Sequence, residues 1–168
     1  SPVCFFLGAG FMLVETKGIT ELALVYGSTW FVVSIVIACV LIMAYLANLL
    51  VINNTKIKLW LVYMFIFFAI ILGYLFTLID HGTLSPILQK FLSPMMLTLP
   101  MFFSGMAFSK QLSTEKAISI ALSSNILGAI FGGLLEYNAM YFGYRSLYVL
   151  GFVMYLSAFI FSKKRFYS

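Results

Sequence analysis

The stretch Phe11–Leu24, FMLVETKGITELAL, places Glu15, Lys17 and Glu21 within seven positions of an otherwise apolar segment. Read as a loop, it divides two short greasy pieces. Read as one helix, it carries charge into the middle of a membrane. The rest of the chain decides between these readings. Of its 168 residues, 63% are hydrophobic and only 9% charged, whereas a soluble domain carries about 25% charged residues. Long apolar runs recur along the chain, each near the ~20 residues that cross a bilayer core as a helix. The sequence therefore reads as an all-α polytopic membrane protein. It forms a single six-helix domain over 1–168, with spans at about 3–26, 29–52, 59–79, 94–110, 117–141 and 146–162. The charged stretch falls inside the first span.

The connections carry stop and turn chemistry: Asn53-Asn54-Thr55, Asp80-His81-Gly82, Ser113-Thr114-Glu115 and Gly143-Tyr144. LSPILQKFL, residues 84–92, reads as a separate helix lying in the interface and started by Pro86. Ser93-Pro94 then suits the cap and first turn of the fourth span, which Pro100 should kink. If the spans alternate in direction, Lys56, Lys58, Lys110, Lys116, Lys163, Lys164 and Arg165 share one side. Lys90 and Arg145 take the other. Seven basic residues against two place both termini in the cytoplasm, because positive loops stay on that side.

Several classes of function are excluded. Cys4 and Cys39 form no CxxC pair and His81 is the only histidine, so neither a disulfide framework nor a histidine-rich metal site is expected. No nucleophile–base set or phosphate-cradling glycine loop is visible, so the chain leans away from being an enzyme and implies no cofactor. No aromatic-interleaved basic patch supports nucleic-acid binding. The first residue is Ser1 and no signal-peptide pattern precedes it, so the chain is expected to be part of a longer protein or to lack a disordered N-terminus.

Charge near the bilayer centre costs on the order of 3 kcal/mol per residue, so each charged group in the first span needs an explanation. On a helix Lys17 and Glu21 are four apart and can pair. Glu15 points about 200° away from Lys17, on a stripe with Gly8, Gly18 and Leu22. That carboxylate needs a partner of its own: another helix, a proton, water or a ligand. Three readings stay open, namely a neutral network that locks helices together, a ligand or transport site, and a break in the helix that admits water. The fifth span, AISIALSSNILGAIFGGLLEYNAMY, carries Ser124, Gly128, Gly132 and Glu136 at four-residue spacing. This is a small-residue packing face. Glu136 lies toward the edge of that face, where it pairs with Arg145 or meets a ligand. Asn125 suits an interhelical hydrogen bond or a ligand contact. The candidate ligand-binding residues are thus Glu15, Lys17, Glu21, Asn125 and Glu136.

Two segments, FFLGAGFMLVETKGITELALVYGSTW (5–30) and NILGAIFGGLLEYNAMYFGYRSLYVLG (125–151), carry a family resemblance. They resemble the membrane region of bacterial proteins that fuse a major-facilitator-like part to a spermidine-synthase-like domain. The resemblance implies six helices like one half of a major-facilitator fold, set in a bacterial inner membrane. The soluble domain is not in this sequence, so no transferase residue carries over, and a missing domain or partner subunit is implied. The leading expectation is a transport-like module for a small polar or cationic molecule such as a polyamine. The alternative is a non-transporting anchor or assembly subunit in the lipid bilayer.

Overall fold

The computed structural model describes residues 1–27, 30–54, 56–78 and 86–167. The chain is helical throughout, with no strand among the described residues. Its helices are α1 (Pro2–Tyr26), α2 (Trp30–Asn53), α3 (Leu59–Phe76), α4 (Pro86–Thr114), α5 (Ile118–Glu136), α6 (Ala139–Phe142) and α7 (Ser146–Tyr167). Among the described residues, α1, α2, α3, the α5–α6 segment and α7 are long and apolar enough to cross a membrane. α4 is longer still and has no charged residue between Lys90 and Lys110. α2 and α3 are apolar around their whole circumference, as helices facing lipid must be.

The charged stretch is helical without interruption: α1 passes through Glu15, Lys17 and Glu21 and stops only at Gly27. Gly27 takes φ 96°, and its N–H donates to the Ala23 carbonyl at 2.9 Å. A residue with a Cβ adopts that backbone region only under strain. The other positive-φ residue among the described residues is Gly143, which turns the chain from α6 into α7.

Two expectations about local structure are corrected. Residues 86–92 are not a separate interfacial helix, because Pro86 opens α4 and the helix runs on through Pro94 and Pro100; residues 84 and 85 lie outside the described residues. Proline removes its own N–H bond, yet within a bundle neighbouring helices and local adjustment compensate for that loss. The segment after Glu136 is also broken. Tyr137 and Asn138 form a turn before the short α6, and Asn138 Nδ2 donates to the Leu135 carbonyl at 2.8 Å. The expected turn at Asp80-His81-Gly82 lies outside the described residues, as does Thr55.

Contacts fix the helix directions. Phe5 and Ala9 of α1 meet Gly128 and Gly132 of α5 in rising order, so these helices run parallel. Gly10, Val14 and Lys17 meet Tyr155, Gly151 and Tyr148 in falling order, so α7 runs antiparallel to α1. α3 and α7 are likewise antiparallel, from Thr77–Arg145 at one end to Tyr63–Phe159 at the other. α2 and α4 run parallel, through Ala47–Gly105 and Asn48–Ser109. The C-terminal end of α4 meets the start of α1 where Ser1 Oγ donates to Glu115 Oε1 at 3.0 Å. The six long helices therefore alternate in direction. α1 lies in the middle of them, packed on α2, α4, α5 and α7.

Candidate functional site

Polar groups inside the bundle gather along α1. Lys17 Nζ and Glu21 Oε1 form an ion pair of 3.1 Å in which both side chains are under a tenth exposed. The lysine is also covered by the Tyr148 ring of α7, with Nζ 5.5 Å from its centroid, a cation–π arrangement. Tyr148 reaches this place because α3 has no side chain at Gly73. A Cβ there would lie 3.0 Å from the tyrosine hydroxyl. The pairing leaves Glu21 half satisfied: among the described residues its buried Oε2 has no hydrogen-bond partner.

Glu15 sits on the other side of α1 and is half-buried. Among the described residues it makes no ion pair, and its electrostatic neighbour is Tyr155. The adjacent Thr16 donates from Oγ1 to Glu136 Oε2 at 3.1 Å, joining α1 to the end of α5. The expected pairing of Glu136 with Arg145 is absent. Arg145 Nη2 instead donates to the Thr77 carbonyl at 3.0 Å, closing the end of α3 against the start of α7. Glu136 also lines a cavity of about 200 Å³ with Gly133, Tyr137 and Tyr144.

Asn125 lies apart from the charges, near the start of α1. Its Nδ2 donates to the Cys4 carbonyl at 3.1 Å, and its backbone packs against Gly8 so closely that a Cβ on Gly8 would collide with the Asn125 carbonyl. Asn125 therefore ties α1 to α5, while Glu15, Lys17, Glu21 and Glu136 gather nearer the Arg145 end.

Sequence reasoning missed the tyrosines. Tyr63, Tyr148 and Tyr155 are fully buried, and the hydroxyl of Tyr63 has no hydrogen-bond partner among the described residues, while that of Tyr155 faces Ser104. Tyr155 packs its ring on Gly10 of α1. The signal was present in α7. Tyr148, Gly151, Tyr155, Ala158 and Ser162 recur at steps of three and four and are all buried, which marks one helix face turned inward.

Compared with protein-family models, curated proteins and solved structures, the chain matches none of them. The functional reading therefore rests on this geometry.

Proposed function

We propose that this chain is an integral membrane module, working within a larger protein or complex, that handles a small polar or cationic molecule in a transport-like manner. The carrying observation is an imbalance of charge inside the bundle. Among the described residues Glu15, Glu21 and Glu136 stand against Lys17, and a buried oxygen of Glu21 has no hydrogen-bond partner. A carboxylate in a low-dielectric interior is held ionised only if a cation, a hydrogen-bond donor or water offsets its desolvation. A small organic cation such as a polyamine supplies both charge and N–H donors. The resemblance to half of a major-facilitator fold agrees with this reading, because such halves pair around a site near the midplane. On this view the lysine-rich end of the bundle faces the cytoplasm of a bacterial cell, with both termini on that side.

A second reading, an anchor or assembly subunit, draws on the closed Lys17–Glu21 pair and on the glycine contacts between α1 and α5. One experiment separates the two. The purified chain is reconstituted and titrated with a polyamine and with monovalent cations, in parallel with Glu15→Gln and Glu21→Gln. A transport-like site gives saturable binding or flux in the wild type. Glu15→Gln lowers it at least tenfold while leaving thermal stability within about 0.5 kcal/mol, the usual scale away from packing defects. An absence of saturable binding in the wild type, with destabilisation in Glu21→Gln, overturns the first reading in favour of the second.

A further inference from the structure

α5 ends on a carboxylate. Glu136 is its last residue, and its last turn holds no basic side chain. The carboxyl end of a helix carries partial negative charge, so an anionic side chain is unfavourable there and a cation beside it is favourable. The carboxylate is held in place. Its Oε2 accepts from Thr16 Oγ1 at 3.1 Å, its one hydrogen bond among the described residues. The chain then folds back around it: Asn138 Nδ2 bonds the Leu135 carbonyl, α6 carries Met140 round, and Gly143 at φ 78° leads into Tyr144. These turns enclose the cavity of about 200 Å³, walled by Gly133, Glu136, Tyr137, Ala139, Met140 and Tyr144. Among the described residues its wall has no basic side chain.

Gly133 keeps this space open. At Gly128 and Gly132 the backbone of α1 lies where a side chain would go, but a Cβ on Gly133 would meet nothing nearer than Met12 Cε at 4.0 Å. Glycine costs about 1 kcal/mol against alanine inside a helix. At position 133 it brings no helix closer; it leaves the cavity unfilled. The wall indicates what fits there. A divalent metal ion takes six or more oxygen ligands, and no group of three metal-ligating side chains exists among the described residues. Aromatic rings attract ammonium groups, and a methionine thioether is soft and adaptable. The volume is below the ~300–1,000 Å³ of pockets for drug-sized molecules, so it suits a single small headgroup.

We propose that this cavity binds a small alkylated ammonium ion, with Glu136 as its counter-charge and Tyr137, Met140 and Tyr144 meeting its alkyl groups. The proposal rests on the cation-handling reading above and names the chemical class recognised at the Glu136 end of α5.

The test titrates tetramethylammonium chloride into the full chain in detergent by isothermal calorimetry, at constant potassium chloride. Saturable binding is expected. Glu136→Gln should weaken it at least tenfold, and Gly133→Leu, which fills the cavity, should abolish it. Tyr144→Ala should weaken it about two- to fivefold, the scale of one cation–π contact at an exposed ring, and Tyr144→Phe should restore most of that loss. Tyr141→Ala, exposed on α6 and outside the cavity wall, should leave binding unchanged. Thermal unfolding checks the fold of each variant. Should Glu136→Gln or Gly133→Leu fail to fold, the other and Tyr144→Ala decide. Wild-type affinity in Glu136→Gln or Gly133→Leu overturns the proposal, as does an equal loss in Tyr141→Ala or equal displacement by added potassium. Saturable polyamine binding without tetramethylammonium binding overturns this proposal alone, whereas absence of both overturns the cation-handling reading with it.

Discussion

Replacing Gly128 by alanine adds one methyl group where α5 crosses α1. A Cβ there collides with the Phe5 carbonyl, which belongs to the backbone and cannot swing aside as a side chain would. One turn further on, a Cβ at Gly132 would stand 2.6 Å from the Ala9 carbonyl. Real Cβ contacts stay beyond about 3.0 Å, so even there the helices would have to part by roughly 0.4 Å, and by more at Gly128. A gap of 0.5–1 Å forfeits about a quarter to a half of the dispersion energy of the atoms involved, and overpacking of this kind costs about 1–3 kcal/mol. The same substitution regains about 1 kcal/mol of helix propensity. The net expectation is a loss of up to about 2 kcal/mol, or up to roughly 8 °C in Tm for a chain of this size. Gly133 is the matched control. The nearest atom to its Cβ is the Met12 Cε at 4.0 Å, so Gly133→Ala should keep the propensity gain and raise Tm by roughly 2–4 °C. Thermal unfolding of both variants in one detergent decides the matter. Shifts of the same sign would refute the claim that backbone contact at Gly128, rather than a general tolerance for small residues, joins α1 to α5.

Two further outcomes follow from the ion pair and the helix directions. Lys17→Met should destabilise the protein by about 3–5 kcal/mol by leaving Glu21 buried and unpaired, and Lys17→Met with Glu21→Gln together should recover most of that loss; a double variant as damaged as the single would show that the pair holds no mutual charge balance. Cysteines introduced in 53–58 and in 80–85 should label from opposite faces of the membrane, since α3 runs from Lys58 at one end to Thr77 at the other; labelling from the same face would sink the alternation of spans.

The all-helical architecture was legible because it depends on amounts and lengths. Apolar runs near 20 residues have few other solutions in a bilayer, where every backbone group must find its partner within the segment. A close-packing face on α5 was legible for a similar reason, although not which helix it meets. The recurrence of Gly128 and Gly132 has a steric meaning that survives without coordinates, and the structure puts the backbone of Phe5 and Ala9 against them. The fate of residues 86–92 was not legible, because a proline signals a helix start and an interruption in the same letters. Whether Pro94 begins a helix or lies within one depends on the helices beside it. The partner of Glu136 was hidden for another reason. Arg145 is nine residues away in sequence and attractive as a counter-charge, but the turn at Tyr137–Asn138 intervenes and the contact goes to Thr16 of a distant helix.

The placement of α1 follows from charge. A helix that carries Glu15, Lys17 and Glu21 through a bilayer is costly wherever lipid touches those groups, so it is most stable where other helices surround it. Its span is 56% buried, against 22% for the uncharged span of α2. Apolar helices gain little from being interior, because lipid tails solvate leucine as well as a protein core does. The charged helix gains partners: Tyr148 over Lys17, Glu136 for Thr16, and the glycine notches that let both neighbours approach. The residues that made VETKGITE resemble a loop are therefore the ones that put its helix at the centre of the bundle. In that position Glu15 is only half covered, and one oxygen of Glu21 is unpaired among the described residues. Packing accounts for Lys17; it does not account for these two carboxylates, and the proposed cation site rests on that difference.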